Sequence, residues 1–100
     1  MFYFKSHSIN KDHHSLVPFT APVRPSIIGE GHDVVGKLMC NDTCIFRATV
    51  HNIDFGKMAA LESRLNTLIT YINEYIENGI EDGIISGVID VEDWKEDVFA

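Results

Sequence analysis

A small α+β domain is the predicted fold class, and three observations predict it: a long amphipathic stripe, two alternating apolar runs joined by turn residues, and a later β-branched run closed by acids. An antiparallel sheet, made of a hairpin over residues 34–51 and a C-terminal strand over 84–91, should pack on one helix over 57–78. With 100 residues, 45% of them hydrophobic, the chain is expected to form one globular domain over 1–100.

The helix is the clearest element. Met58, Leu61, Leu65, Leu68, Ile72 and Tyr75 recur at alternating three- and four-residue spacings and share one face, widened by Ile69 and Ile76. Polar residues from Glu62 to Glu77 occupy the other face. Asp54 is placed to cap the start, and Gly79 is the expected left-handed stop. The heptad-like spacing is also compatible with a coiled-coil dimer, but the broad stripe suits packing on the chain's own sheet better.

For the hairpin, Val34–Cys40 and Cys44–His51 flank the turn-forming Asn41-Asp42-Thr43. In the second run Cys44, Phe46, Ala48 and Val50 alternate with Ile45, Arg47, Thr49 and His51, which predicts one buried and one wetter face. Ile84–Val91 reads as the C-terminal strand and Phe2-Tyr3-Phe4 as a fourth. Residues 15–29 hold Pro18, Pro22 and Pro25 and are expected to be irregular and extended over the surface. Trp94, Val98 and Phe99 should tuck a last half-turn back on the body.

Charge is distributed unevenly. The stretch 74–100 holds nine acids (Glu74, Glu77, Glu81, Asp82, Asp90, Glu92, Asp93, Glu96, Asp97) against Lys95. It therefore carries −8, residues 1–73 carry +1, and the chain carries −7. Such a field attracts basic surfaces and repels polyanions. The bases are sparse and dispersed, which argues against direct nucleic-acid binding. No apolar run approaches the ~20 residues that span a bilayer, and the first residues do not read as a signal peptide, so a cytoplasmic protein is expected.

The chemistry-bearing residues form no pattern of catalysis. Cys40, Cys44, His32 and His51 have the types for a zinc site, but a hairpin arm would separate the thiols from the histidines by ~20 Å. Cys40 and Cys44 can pair across the turn only if the register sets them opposite each other. His7, His13 and His14 lie in a polar stretch without an orienting partner. Gly29-Glu30-Gly31 precedes no phosphate-loop lysine, and Gly36 falls inside a strand. No catalytic residue, metal ligand or cofactor is assigned.

Three readings follow in order. The first is an acidic protein-interaction module, an inhibitor, nucleic-acid mimic or immunity-type protein such as phages and other mobile elements encode. Its partner would be a protein with a basic surface, such as a nucleic-acid-binding protein. The contact residues would be Glu81, Asp82, Glu92, Asp93, Trp94, Glu96 and Asp97. The second is a structural subunit of a homo-oligomer, a homodimer being the simplest form. The third is a metal- or thiol-dependent enzyme using His13, His14, Cys40 or Cys44.

Overall fold

The apolar stripe becomes helix α1, Phe55–Glu81, in a computed structural model that describes residues 1–7, 14–84 and 86–99. Leu61, Leu65, Leu68 and Ile72 are at most 1% exposed, so the stripe is buried within the chain's own core. Asp54 caps the start: its carboxylate accepts the Lys57 backbone N–H at 2.8 Å. The helix runs past its expected end. The stop is Gly83, at φ +81°, where the Ile84 N–H reaches the Gly79 carbonyl at 2.7 Å and the Gly83 N–H reaches that of Ile80 at 3.0 Å. Gly79 stays helical and buried, and its missing side chain leaves room for the Phe2 ring. At about 1.5 Å per residue α1 is ~40 Å long, close to the molecule's 45 Å longest extent.

The strands are β1 (Phe2–His7), β2 (His14–Pro18), β3 (Val23–Glu30), β4 (Asp33–Cys40), β5 (Thr43–Val50) and β6 (Gly87–Ile89). They form two three-stranded sheets, ordered β2-β1-β6 and β3-β4-β5. A 3-10 turn over Val91–Trp94 and a short helix α2, Lys95–Phe99, complete the chain.

Segment 15–29 corrects the expectation of an irregular strap, since most of it is β2 and β3. Both are edge strands, where a proline's missing donor faces outward at little cost; Pro18 ends β2 and Pro25 lies in β3. Pro22 falls between the strands.

The C-terminal strand is also corrected. It shrinks to three residues and pairs in parallel with β1, Phe2 opposite Gly87 and Phe4 opposite Ile89, rather than joining the hairpin. The end of α1 packs on Phe2, so the returning chain emerges beside the start of β1. Asp90 then caps the 3-10 turn by accepting the Glu92 N–H at 3.1 Å, which ends the pairing.

The hairpin is present as β4 and β5, with a tighter turn than expected. Cys40 pairs with Thr43, leaving Asn41 and Asp42 as a two-residue turn with Asn41 at φ +56°. A β-bulge interrupts the ladder. Leu38 faces Phe46 but Met39 faces Cys44, so Ile45 is the extra residue. It is buried to 1% exposure, although strict alternation would place it on the wetter face.

The core lies between α1 and the inner faces of the two sheets. Phe4, Leu38, Ile45, Leu65, Leu68 and Val91 are among its most enclosed side chains. A Cβ added at Gly36 of β4 would sit 2.9 Å from Leu61 Cδ1 and 3.1 Å from Leu65 Cδ1. Helix and strand approach that closely only because the position is bare backbone.

Candidate acidic docking surface

The acids are carried outward by two elements. On α1, Glu74, Glu77 and Glu81 follow the spacing of the face opposite the buried stripe, and all three are exposed. Asp82, exposed at the cap, lines a small cleft of about 170 Å³ with Phe2, Tyr75 and Ile84.

The second element is the C-terminal segment 91–99. Val91, Trp94 and Val98 recur at helical spacing and turn toward the body, Val91 fully buried. Trp94 packs edge-on against Tyr71 and Tyr75, with ring centroids 6.1 and 6.0 Å apart. Farther along, Phe99 leans on Phe46 at 5.6 Å, and the Arg64 guanidinium lies 5.6 Å from its ring centroid. The segment thus runs back along one flank of α1, from Tyr75 toward Arg64. Asp93, Glu96 and Asp97 are left exposed and Glu92 half-buried.

Little among the described residues neutralises these groups. Lys95 approaches Glu92 at 4.0 Å, the one lysine or arginine ion pair among the described residues. Glu96 and Asp97 also lie in the first turn of α2, where the helix dipole favours negative charge and gives them a local structural role.

Of the seven residues predicted to meet a partner, Glu81, Asp82, Asp93, Glu96 and Asp97 are exposed. Glu92 and Trp94 are half-buried, and Trp94 acts as the anchor that holds the segment on α1. The sequence reading missed Tyr71 as half of that clasp. Its position four residues before Tyr75 on one helix flank was the available signal.

The cysteine and histidine candidates are dispersed. Cys40 is fully buried, its thiol 3.7 Å from the carbonyls of Pro18 and Ala21. Cys44 directs its thiol to the Phe46 carbonyl at 3.1 Å, and both cysteines are free. At the other end of the hairpin His51 Nδ1 lies 3.1 Å from Asp33, which also accepts the Asn52 N–H at 3.2 Å. These hydrogen bonds, the histidine's foremost, hold the Asp33 carboxyl below the usual range. His13 lies outside the described residues. The His7 and His14 backbones pair where β1 ends and β2 begins.

A second opening, of about 450 Å³ and mostly apolar, lies at the start of α1 between Ile53, Asp54, Phe55 and Met58. Phe55 is 96% exposed beside it. Among the described residues no helix is long and apolar enough to cross a membrane. No family model, curated protein or solved structure matches the chain, so the surface is interpreted from its own geometry.

Proposed function

We propose that the chain is a protein-interaction module that docks its acidic C-terminal surface on a cationic surface of another protein. A protein that binds nucleic acid presents such a surface, and covering it would inhibit that protein by mimicking the phosphate chain. The reading assigns no catalytic residue. Two free thiols fit the reducing cytoplasm in which it places the protein.

One observation carries the proposal: exposed carboxylates line the outer face of α1 and segment 91–99, and they outnumber the bases beside them, Lys95 and Arg64. The Trp94 clasp holds the second group in place, which lowers the ordering cost of binding.

The test uses immobilised protein and host lysate at low and high salt. Partners should be retained at low salt, released at high salt, and absent from an Asp93→Lys/Glu96→Lys/Asp97→Lys variant that remains folded by circular dichroism. Equal retention by that variant, or retention indifferent to ionic strength, would overturn the reading. The alternative, a homo-oligomer subunit, is favoured by the bare Phe55 at the opposite end of α1.

A further inference from the structure

Strand β3 leaves one long edge of the sheet β3-β4-β5 open. At the opposite edge β5 is covered: the Ser6 hydroxyl donates to the Cys44 carbonyl at 3.4 Å, and Phe99 leans on Phe46. Along β3, Arg24, Pro25, Ile28, Gly29 and Glu30 are exposed, and a Cβ added at Gly29 would meet nothing within 4 Å. Beside its inner face an opening of about 290 Å³ lies between Pro25, Ile27, Glu62 and Asn66. Hairpin geometry fixes which backbone groups are free. Glu30 and Asp33 flank the two-residue turn Gly31-His32, with Gly31 at φ +66°, and such a flanking pair exchanges both of its backbone bonds. Glu30, Ile28, Ser26 and Arg24 therefore bond to β4, whereas Gly29, Ile27, Pro25 and Val23 turn their backbone groups to the open side. Among the described residues no other element's backbone bonds to these groups.

The side chains of this edge are complementary to themselves. Arg24, Ser26, Ile28 and Glu30 share the outer face, because Ile27 pairs with Gly36, which faces α1. Glu30 stands directly opposite Asp33 in the ladder, an unfavourable meeting of like charges. His51 relieves Asp33, but Glu30 has no ion-pair partner among the described residues. Arg24 lies near the other end of the strand, exposed, with its guanidinium on the Asn41 carbonyl at 3.3 Å. Two antiparallel copies of β3 centred on Ile27 place Arg24 of each opposite Glu30 of the other. No other antiparallel register makes that pair.

We propose that β3 pairs antiparallel with β3 of a second copy of the chain, about a two-fold axis at Ile27, joining two three-stranded sheets into one. The two Ile27 residues exchange both backbone bonds, and each Gly29 N–H donates to the Pro25 carbonyl of the other copy. Pro25 withholds only its own missing donor. The Ile27 side chains meet on the inner side, at the opening beside Pro25. Any extended segment can supply the backbone bonds; symmetry makes a second copy supply both charge pairs as well. The chain's −7 opposes contact between copies, but residues 23–50 hold three acids and three bases, so the joined sheets add no net charge. At ~3.3 Å per residue the strand is about 26 Å long, a narrow interface, and the dimer is weak. The inference is independent of the acidic surface and uses a different part of the molecule from Phe55.

Sedimentation over a concentration series up to about 1 mM, the weak end of specific association, tests this together with amide exchange. Wild type should reach a dimer and nothing larger, and the Ile27 and Gly29 amides should exchange more slowly as the dimer forms. Arg24→Glu and Glu30→Arg, both exposed substitutions, should each be monomeric alone, because each sets like charges opposite one another twice. Mixed, the two variants should form a one-to-one complex, and the double variant Arg24→Glu/Glu30→Arg should dimerise again. A monomeric wild type at the highest concentration overturns the inference. So does a dimer in which the Ile27 and Gly29 amides exchange as fast as in the monomer, or one that both single variants still form. Failure of the double variant to dimerise overturns it too. Protection of those two amides in a monomeric protein only when lysate is added assigns the edge to a foreign strand and also overturns it. The Asp93→Lys/Glu96→Lys/Asp97→Lys variant keeps β3 intact and should still dimerise. A monomer there would move the contact to the acidic surface and overturn the assignment to β3.

Discussion

Helix α1 is held by two unlike contacts, one with β4 and one with the C-terminal segment. The first is dry and aliphatic: Leu61 and Leu65 press against the bare backbone of Gly36 and are at most 1% exposed. The second is aromatic and half-exposed, with Trp94 edge-on between Tyr71 and Tyr75 and Phe99 beside Arg64. Aliphatic packing at zero clearance leaves no independent motion and belongs to the global fold. A half-exposed aromatic clasp can open locally and so governs the acids it carries without governing the fold. One contact makes the domain, and the other positions its charge.

Breaking the first contact should have the largest effect. Leu68→Ala, at a fully enclosed position, should cost about 2–5 kcal/mol, measured as a drop in the urea midpoint with the slope unchanged. Gly36→Ala should cost about 1–3 kcal/mol, because the new methyl must displace Leu61 and Leu65 within a filled core. A neutral result there would mean that the two leucines can turn aside.

Breaking the second contact should separate fold from surface. Trp94→Ala removes two aromatic pairs, each worth about 0.5–1.5 kcal/mol, and should speed amide exchange in residues 91–99 while leaving the middle of α1 protected. Uniform acceleration through both elements would erase the distinction between the contacts.

The smallest expected effect concerns Asp33, whose carboxyl is held below its ordinary range by His51 and the Asn52 N–H. A depressed folded-state pKa contributes stability above the unfolded value of about 3.9 and loses it as pH falls through the folded value. Wild type should therefore exceed Asp33→Asn in thermal midpoint at neutral pH, and the gap should close in acid. A gap that persists at low pH would assign the effect to geometry rather than ionisation.

The particular residues show why some of this was legible in advance. The α1 stripe and its Asp54 cap are local patterns, readable within a few turns. The hairpin was readable because its turn and alternation are adjacent in sequence. Edge strands β2 and β3 were not, since a proline excludes a central strand and is harmless at an edge, and only the sheet order separates the cases. Nor was the stop at Gly83 instead of Gly79, since both glycines could supply it and only the fold uses Gly79 to seat a Phe2 ring some eighty residues earlier in the chain. The bulge at Ile45 leaves no mark in the alternation it disrupts. For the acidic surface, its position in the chain was readable, but the role of Trp94 as anchor was not.

Composition and short-range periodicity therefore determined the long helix, the hairpin, the α+β class and the clustering of charge at one end of the chain, because each arises from neighbours within a turn or a strand. The folded molecule alone decided that β6 lies parallel to β1, that Trp94 faces inward, and that Lys37 and Arg47 share the sheet face turned away from α1. Those outcomes depend on which distant backbones meet, and contact across long loops is selected by the packing of the whole core.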